Sequence, residues 1–245
     1  MWNLYLFAFL ILVLERKTLL HYLIIYYFDL TFFVHKEILE AGAFPWSCLK
    51  ELHSYLISKP LGLIKGSISP AAHLVNEAQI SIGEGSVVEP GAYIQGPCII
   101  GKNCTIRHGA YLRGNVLTGD HCVIGHDTEV KNAIFLNHAH AAHFAYVGDS
   151  IVGNYVNLGA GVKCANFRLD GKTIDIQLNG EKIPTQMRKL GALVGDKTQI
   201  GCNTVINPGT LIGQEVLCHP CLNIEKFIPS RSLLKSPSKP LIIPY

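Results

Sequence analysis

Two basic residues and a run of histidines have spacings in this 245-residue chain that could do chemistry. Arg113 and Lys131 lie 18 residues apart, and each directly follows an aliphatic residue, Leu112 or Val130. If 18 residues make one structural turn, the two cations stack about one strand spacing apart, roughly 5 Å. Bare, they would repel by about 3 kcal/mol at an effective dielectric of about 20, and an anion held between them would remove that cost. The plainer reading is that both side chains splay into solvent. Further on, NHAHAAHFAY places His138, His140 and His143 close in sequence, with Tyr146 three residues beyond the last. A histidine titrates near neutrality and suits general-base work; a polar, His-rich surface loop is the alternative. Cys218 and Cys221 form a CxxC, but no second pair at zinc-site spacing accompanies it.

What must position these residues is a repeat. In steps of six from Ile82 the chain reads Ile82, Val88, Ile94, Ile100, Ile106, Leu112, Thr118, Ile124, Val130 and Leu136. Two residues before these stand mostly small ones, among them Ser86, Ala92, Cys98, Cys104, Ala110, Cys122 and Thr128, and Gly83, Gly101, Gly119 and Gly125 directly follow. The pattern predicts short strands whose large and small residues alternate inward, with glycines easing the corners. It slips after Leu136, through Ala142, Val147 and Val152, and resumes from Val194 to Ile212 with Ala192, Thr198, Thr204 and Thr210 at the small position. Such hexapeptides resemble the left-handed parallel β-helix, so a mainly β fold with three strands and 18 residues per coil is expected.

The rest of the chain frames that solenoid. A hydrophobic fraction of 49% is ample for a core, and a formal net charge of +3 gives no strong field for nucleic acid. Residues 1–28 form an apolar extension split by Glu15, Arg16 and Lys17, a poor signal peptide and too short before the charges to span a bilayer. An interfacial membrane helix and an extension without a role both stay open. Residues 29–66 are read as a helical cap on the end of the solenoid, 67–228 as the β-helix, with a hairpin inserted at 168–187 around Asn179 and Gly180, and 229–245 as an extended tail. Four of the eight cysteines, Cys98, Cys104, Cys122 and Cys164, fall on inward positions and read as packing, which suits a reducing, cytoplasmic setting.

The stretch HFAYVGDSIVGNYVNLGAG resembles the acetyltransferase domain of bifunctional UDP-N-acetylglucosamine pyrophosphorylase/glucosamine-1-phosphate acetyltransferases. RLDGKTIDIQLNGEKIPTQMRKLGALVGD is similar to related sugar-1-phosphate nucleotidylyltransferases with the same C-terminal β-helix. The resemblance covers about residues 80–215. It implies His143 as catalytic base. Arg113, Lys131 and Lys172 would bind the sugar phosphate, and Tyr146 and Asn157 the sugar. Ala160, Asn166 and, with tyrosine replaced, Phe167 would contact acetyl-CoA, and Arg188 and Lys189 could meet CoA phosphates. It further implies an acetyl-CoA-dependent N-acetyltransferase acting on an amino-sugar phosphate, with no stoichiometric metal, built as a homotrimer with its sites between subunits. Residues 1–66 are too short for the nucleotidyltransferase domain of those proteins, so sugar-nucleotide synthesis itself is not expected of this chain.

Two other classes remain. γ-Class carbonic anhydrases share the hexapeptide β-helix, and His121 and His126 have the spacing of zinc ligands in that family, with His108 one coil earlier. A β-helix serving only as a scaffold is the third.

Overall fold

The computed structural model of the protein describes residues 23–236. The hexapeptides fold into a parallel β-helix of three sheets with nine, eight and eight strands. Every coil visits them in the same order. The first sheet begins with Ser67–Ile68, the second with His73–Val75 and the third with Ile80–Ile82. Strands pair with their counterparts 18 residues away in most coils, as in Val87 with Thr105 and Ile94 with Leu112. The mainly β parallel β-helix with a short N-terminal helical segment matches the sequence reading.

The interior is the repeat itself. Ile82, Val88, Ile94, Ile100, Ile106, Leu112, Ile124 and Val130 form one buried column set, with the small residues Ala92, Cys98, Cys104, Ala110 and Cys122 between them. The irregular coils start earlier than the six-residue count suggests. Ala133–Phe135 pairs one coil back with Val116–Thr118 at a step of 17, so Phe135, and not Leu136, is the inward residue. Leu136 packs in a second, outer cluster. Ile151 pairs with Leu193 in the next coil because, after the strands Asn157–Leu158 and Lys163–Cys164, the inserted residues up to Ala192 leave the coil without breaking the stack.

The repeat glycines work differently from expectation. Turn residues with positive φ at the corner between third and first sheets include Asn103, His121, His138 and Tyr155, and Asn and His tolerate this region better than most residues. Gly83 and Gly101 are needed for close approach instead. A Cβ on Gly83 would stand 2.5 Å from the carbonyl oxygen of Gly101, and one on Gly101 would collide with that of Gly119.

The helical segment lies along the side of the solenoid, not on its end. Helix α1 (Lys36–Glu40) buries Ile38 and Leu39. Helix α2 (Cys48–Ile57) buries Cys48, Leu49, Leu52 and Leu56, one face of a helix by spacing. Together with Tyr27, Phe28 and Trp46 they cover the outward residues of the third sheet, Ile99, Leu117, Ile134, Ile151, Leu193 and Leu211. The inserted hairpin joins this cover. Its strands, Ile174–Leu178 and Glu181–Met187, pair antiparallel across Asn179 and Gly180, both at positive φ. Ile174, Ile176, Leu178 and Met187 are buried in the same outer cluster.

The N-terminal segment is also fastened by polar contacts. Buried Asp196 accepts the Asp29 backbone N–H at 2.7 Å, the Asn154 N–H at 2.7 Å and the Asn154 side-chain amide at 3.0 Å. Residues 23–28 are thus integral to the fold, whereas the question raised for the apolar run before them falls on residues 1–22, outside the described residues. The tail expected to be extended from Pro229 instead begins with one more coil strand, Leu233–Leu234, paired to Leu217–Cys218. No helix among the described residues is long and apolar enough to cross a membrane.

Candidate active site

Arg113 and Lys131 do occupy equivalent places in neighbouring coils. Tyr111 pairs with Glu129 and Leu112 with Val130, and the Arg113 N–H donates to the Val130 carbonyl at 2.8 Å. They stand at the edge of the second sheet, where the chain turns to the third. They are not bare, however. Arg113 Nη1 lies 2.6 Å from Glu129 Oε1, and Lys131 Nζ lies 3.5 Å from Asp149 Oδ2. The repulsion anticipated between them is therefore offset by two carboxylates, one per cation.

Around this pair the chain builds a polar node. Tyr146 pairs with Glu129 in the next coil. Burial raises the pKa of its phenol, and the charges of Glu129 and Asp149 push the same way, so the hydroxyl remains a donor at neutral pH. The Asn166 side chain reaches both the Tyr146 hydroxyl and the Asp149 carboxylate. Asn132 donates to the other Asp149 oxygen at 2.9 Å. Gly148 leaves room for this: a Cβ there would sit 2.5 Å from Asn166 Nδ2 and 2.6 Å from the Tyr146 oxygen.

His143 ends the strand His140–His143 and pairs with His126 at the corner between first and second sheets. Its side chain is exposed. The turn that follows one coil on holds Ala160, and the Gly161 N–H donates to the His143 carbonyl at 3.1 Å. The other two histidines of the run point elsewhere. His138 is at the corner between third and first sheets, stacked between His121 and Tyr155 with ring centroids 4.6 and 4.5 Å away. His140 is half-buried on the first sheet, and burial lowers its pKa, which favours the neutral ring.

One chain thus brings together Arg113, Lys131, Tyr146 and Asn166, and places His143 and Ala160 at the adjoining corner. It does not bring Asn157 to them. That side chain is exposed on the first sheet, between His140 and Gln199. Phe167 and Lys172 belong to the insertion. Phe167 bridges to Lys189 and carries the Arg188 guanidinium 6.0 Å from its ring. It lines a cavity of about 620 Å³ with Arg168, Asp170 and Lys226, and neither cation lines it. Lys172 sits in the loop before the hairpin, where its N–H donates to Asp170 at 3.2 Å.

Glu129, Asp149 and Asn132 were missed in the sequence. Asp149 follows Lys131 by 18 residues, but the coil there is 17 residues long and Lys131 pairs with Gly148, so Asp149 reaches the ammonium from the turn that follows. The zinc-ligand pattern divides between two corners, with His121 at the turn before the strand Val123–His126 and His126 at its far end. No group of three His, Cys, Asp or Glu side chains placed to hold a metal ion occurs among the described residues.

Residues 94–183 match the family model of the GMPPB C-terminal domain. A bifunctional sugar-1-phosphate nucleotidylyltransferase/acetyltransferase of Sulfurisphaera tokodaii is 38% identical over 38% of this chain and 23% of its own length. The bifunctional protein GlmU of Methanococcus maripaludis is 32% identical over 78% of this chain and 45% of its own. An uncharacterized acetyltransferase of Escherichia coli, YaiX, is 35% identical over 62% of this chain and 66% of its own. The chain spans less than half the length of the two bifunctional relatives. It is similar to the hexapeptide-repeat acetyltransferases, and the similarity includes the coils that carry Arg113, Lys131, His143 and Tyr146.

Proposed function

We propose that this protein is an acetyl-CoA-dependent N-acetyltransferase whose acceptor is an amino-sugar phosphate. The observation that carries the reading is the stacked pair Arg113 and Lys131 beside Tyr146, one corner away from an exposed histidine. A phosphate dianion is the ligand that two adjacent cations with a phenolic donor recognise best. Lys172, which the insertion holds in a separate loop, is assigned to the same phosphate by the resemblance alone.

In this mechanism the amine of the acceptor attacks the thioester carbonyl carbon of acetyl-CoA. His143 takes the proton that the nitrogen loses as the C–N bond forms. The tetrahedral intermediate collapses with breakage of the C–S bond, and the CoA thiolate leaves and is protonated. No acyl-enzyme is needed. Arg113 and Lys131 hold the phosphate so that the amine is in line, which converts the encounter into a near-intramolecular step. Ala160, Asn166 and Phe167 would contact the donor.

A homotrimer is part of the proposal. Asn157 lies on the first sheet and the cation pair on the second, so one copy cannot close a pocket around a sugar with both. An adjoining copy that presents its first sheet to this second sheet would supply the missing wall.

The full chain is to be incubated with acetyl-CoA and a panel of amino-sugar phosphates, with the N-acetylated product followed by mass spectrometry. Product from one acceptor, lost in His143→Ala, supports the reading. A folded protein that acetylates no member of the panel overturns it. A solution mass three times that of the chain is expected in the same preparation.

A further inference from the structure

We propose that Asp149 is a positioning residue that couples the two sides of the site: it holds the phosphate cation Lys131 and the donor-contacting Asn166 through one carboxylate. The inference rests on the acetyltransferase reading above. Asp149 is buried, with its side chain 6% exposed. Its backbone is pinned at both ends, its N–H donating to the Lys131 carbonyl at 2.9 Å and its carbonyl accepting the Gly191 N–H at 2.8 Å. The residue sits at φ 46°, a left-handed turn that aims the side chain back over the preceding coil.

The carboxylate is shared with a division of labour. Oδ1 accepts from Asn132 at 2.9 Å, whereas Oδ2 accepts from Asn166 and lies 3.5 Å from the Lys131 ammonium. The backbone of Asn166 is held as well, the Leu190 N–H donating to its main-chain carbonyl at 3.0 Å. Its amide also serves the Tyr146 hydroxyl. A displacement of Lys131 by an incoming phosphate therefore changes what Oδ2 offers Asn166, and through it Tyr146. Such a shared acceptor is how a buried polar network makes two sites interdependent. An asparagine in place of Asp149 would present an N–H₂ group to one of its present donors, so it could satisfy one side only.

The test is a double-mutant cycle on kcat/KM, which isolates coupling from the effect of either residue. Lys131→Ala and Asn166→Ala are made singly and together, in the wild-type and in the Asp149→Asn background. With Asp149 present, the double variant is expected to lose at least about fivefold less than the product of the single losses. In Asp149→Asn the losses should multiply to within about twofold, and the KM values for acceptor and for acetyl-CoA should both rise. A residue that only stabilised the turn would lower the melting temperature and leave both KM values of the folded protein unchanged. Additive losses with Asp149 present, coupling that survives in Asp149→Asn, or unchanged KM values in that variant would each overturn the inference. Should Asp149→Asn not fold, Lys131→Ala alone decides: its KM for acetyl-CoA rises if the carboxylate links the two sides and stays constant if it does not. An active wild type with additive variants sinks this inference alone, whereas an inactive wild type sinks the acetyltransferase reading and this inference with it.

Discussion

The second and third sheets are made by the same repeat, share the same buried interior and differ almost entirely on their outer faces. The third sheet turns Ile99, Leu117, Ile134, Ile151, Leu193 and Leu211 outward, and all of them are buried under the N-terminal segment and the hairpin. The second sheet turns Tyr93, Tyr111, Glu129, Tyr146 and Lys163 outward, one above another in successive coils, and leaves them accessible in part. A solenoid fixes its fold from the inside, so each outer face is free to be specialised separately. Here one face became a second core and the neighbouring edge became the candidate site. The comparison predicts that substitutions on the first will cost stability and those around the second will cost turnover.

The largest effect is expected at the corner beside the second sheet. His143→Ala should lower kcat by about 10²- to 10⁴-fold, the usual contribution of a general base. Because the side chain is exposed, the melting temperature should hold. Equal losses in stability and rate would place His143 in the fold and not in the reaction.

Leu193→Ala in the covered face should do the reverse. Leu193 is fully buried, and truncation of such a side chain costs about 2–5 kcal/mol through lost transfer energy and the cavity left behind. Denaturant titration reads this directly. Activity per folded molecule should be unchanged. A variant that folds normally but fails to turn over would show that the two faces are not independent.

The division was only half legible in the sequence, for a physical reason. Inward positions repeat every six residues because they all meet the same narrow interior, and that regularity gave the sheets, the stacking of Arg113 on Lys131 and the return of the coil at Val194. Outward positions meet different neighbours on each sheet and carry no six-residue period. The covered face left one signal, the apolar residue just before the inward one in the third strand of each coil, as in Leu117 before Thr118 and Leu193 before Val194. It went unread, and the helices were expected on the solenoid's end. Around the cations, Glu129 and Asp149 were hidden because they lie 16 and 18 residues from the cations they meet, and a carboxylate one coil away looks like ordinary surface charge. Phe135 was missed as the inward residue because a 17-residue coil shifts the count by one.

Asp196 offers an intermediate test, since it belongs to the covered side but is polar. Asp196→Asn would turn an N–H₂ group toward one of the three donors that the carboxylate now accepts, at a cost of about 1–3 kcal/mol. Burial pushes the pKa of Asp196 above its ordinary 3.8. The folded state then binds the proton more tightly than the unfolded one, so this group's contribution to stability grows as the pH falls through the raised pKa toward 3.8. The deficit of the variant relative to wild type should therefore widen on acidification. A deficit that narrows would mean that the three hydrogen bonds to the carboxylate, and not its burial, dominate the titration.

The smallest stability effect is expected from Glu129→Gln. Its ion pair with Arg113 is 2.6 Å long, but the two side chains are 35% and 41% exposed. Solvent screens such a pair, and its worth to the fold is about 0–1 kcal/mol. What Glu129 supplies is orientation. Without it the Arg113 guanidinium regains rotamers that phosphate binding must freeze again, at about 0.5–1.5 kcal/mol, so the acceptor KM should rise about 2- to 10-fold while the unfolding midpoint stays in place. A midpoint that moves with KM unchanged would reverse the assignment and make the second sheet's edge, like the third sheet's face, a matter of stability.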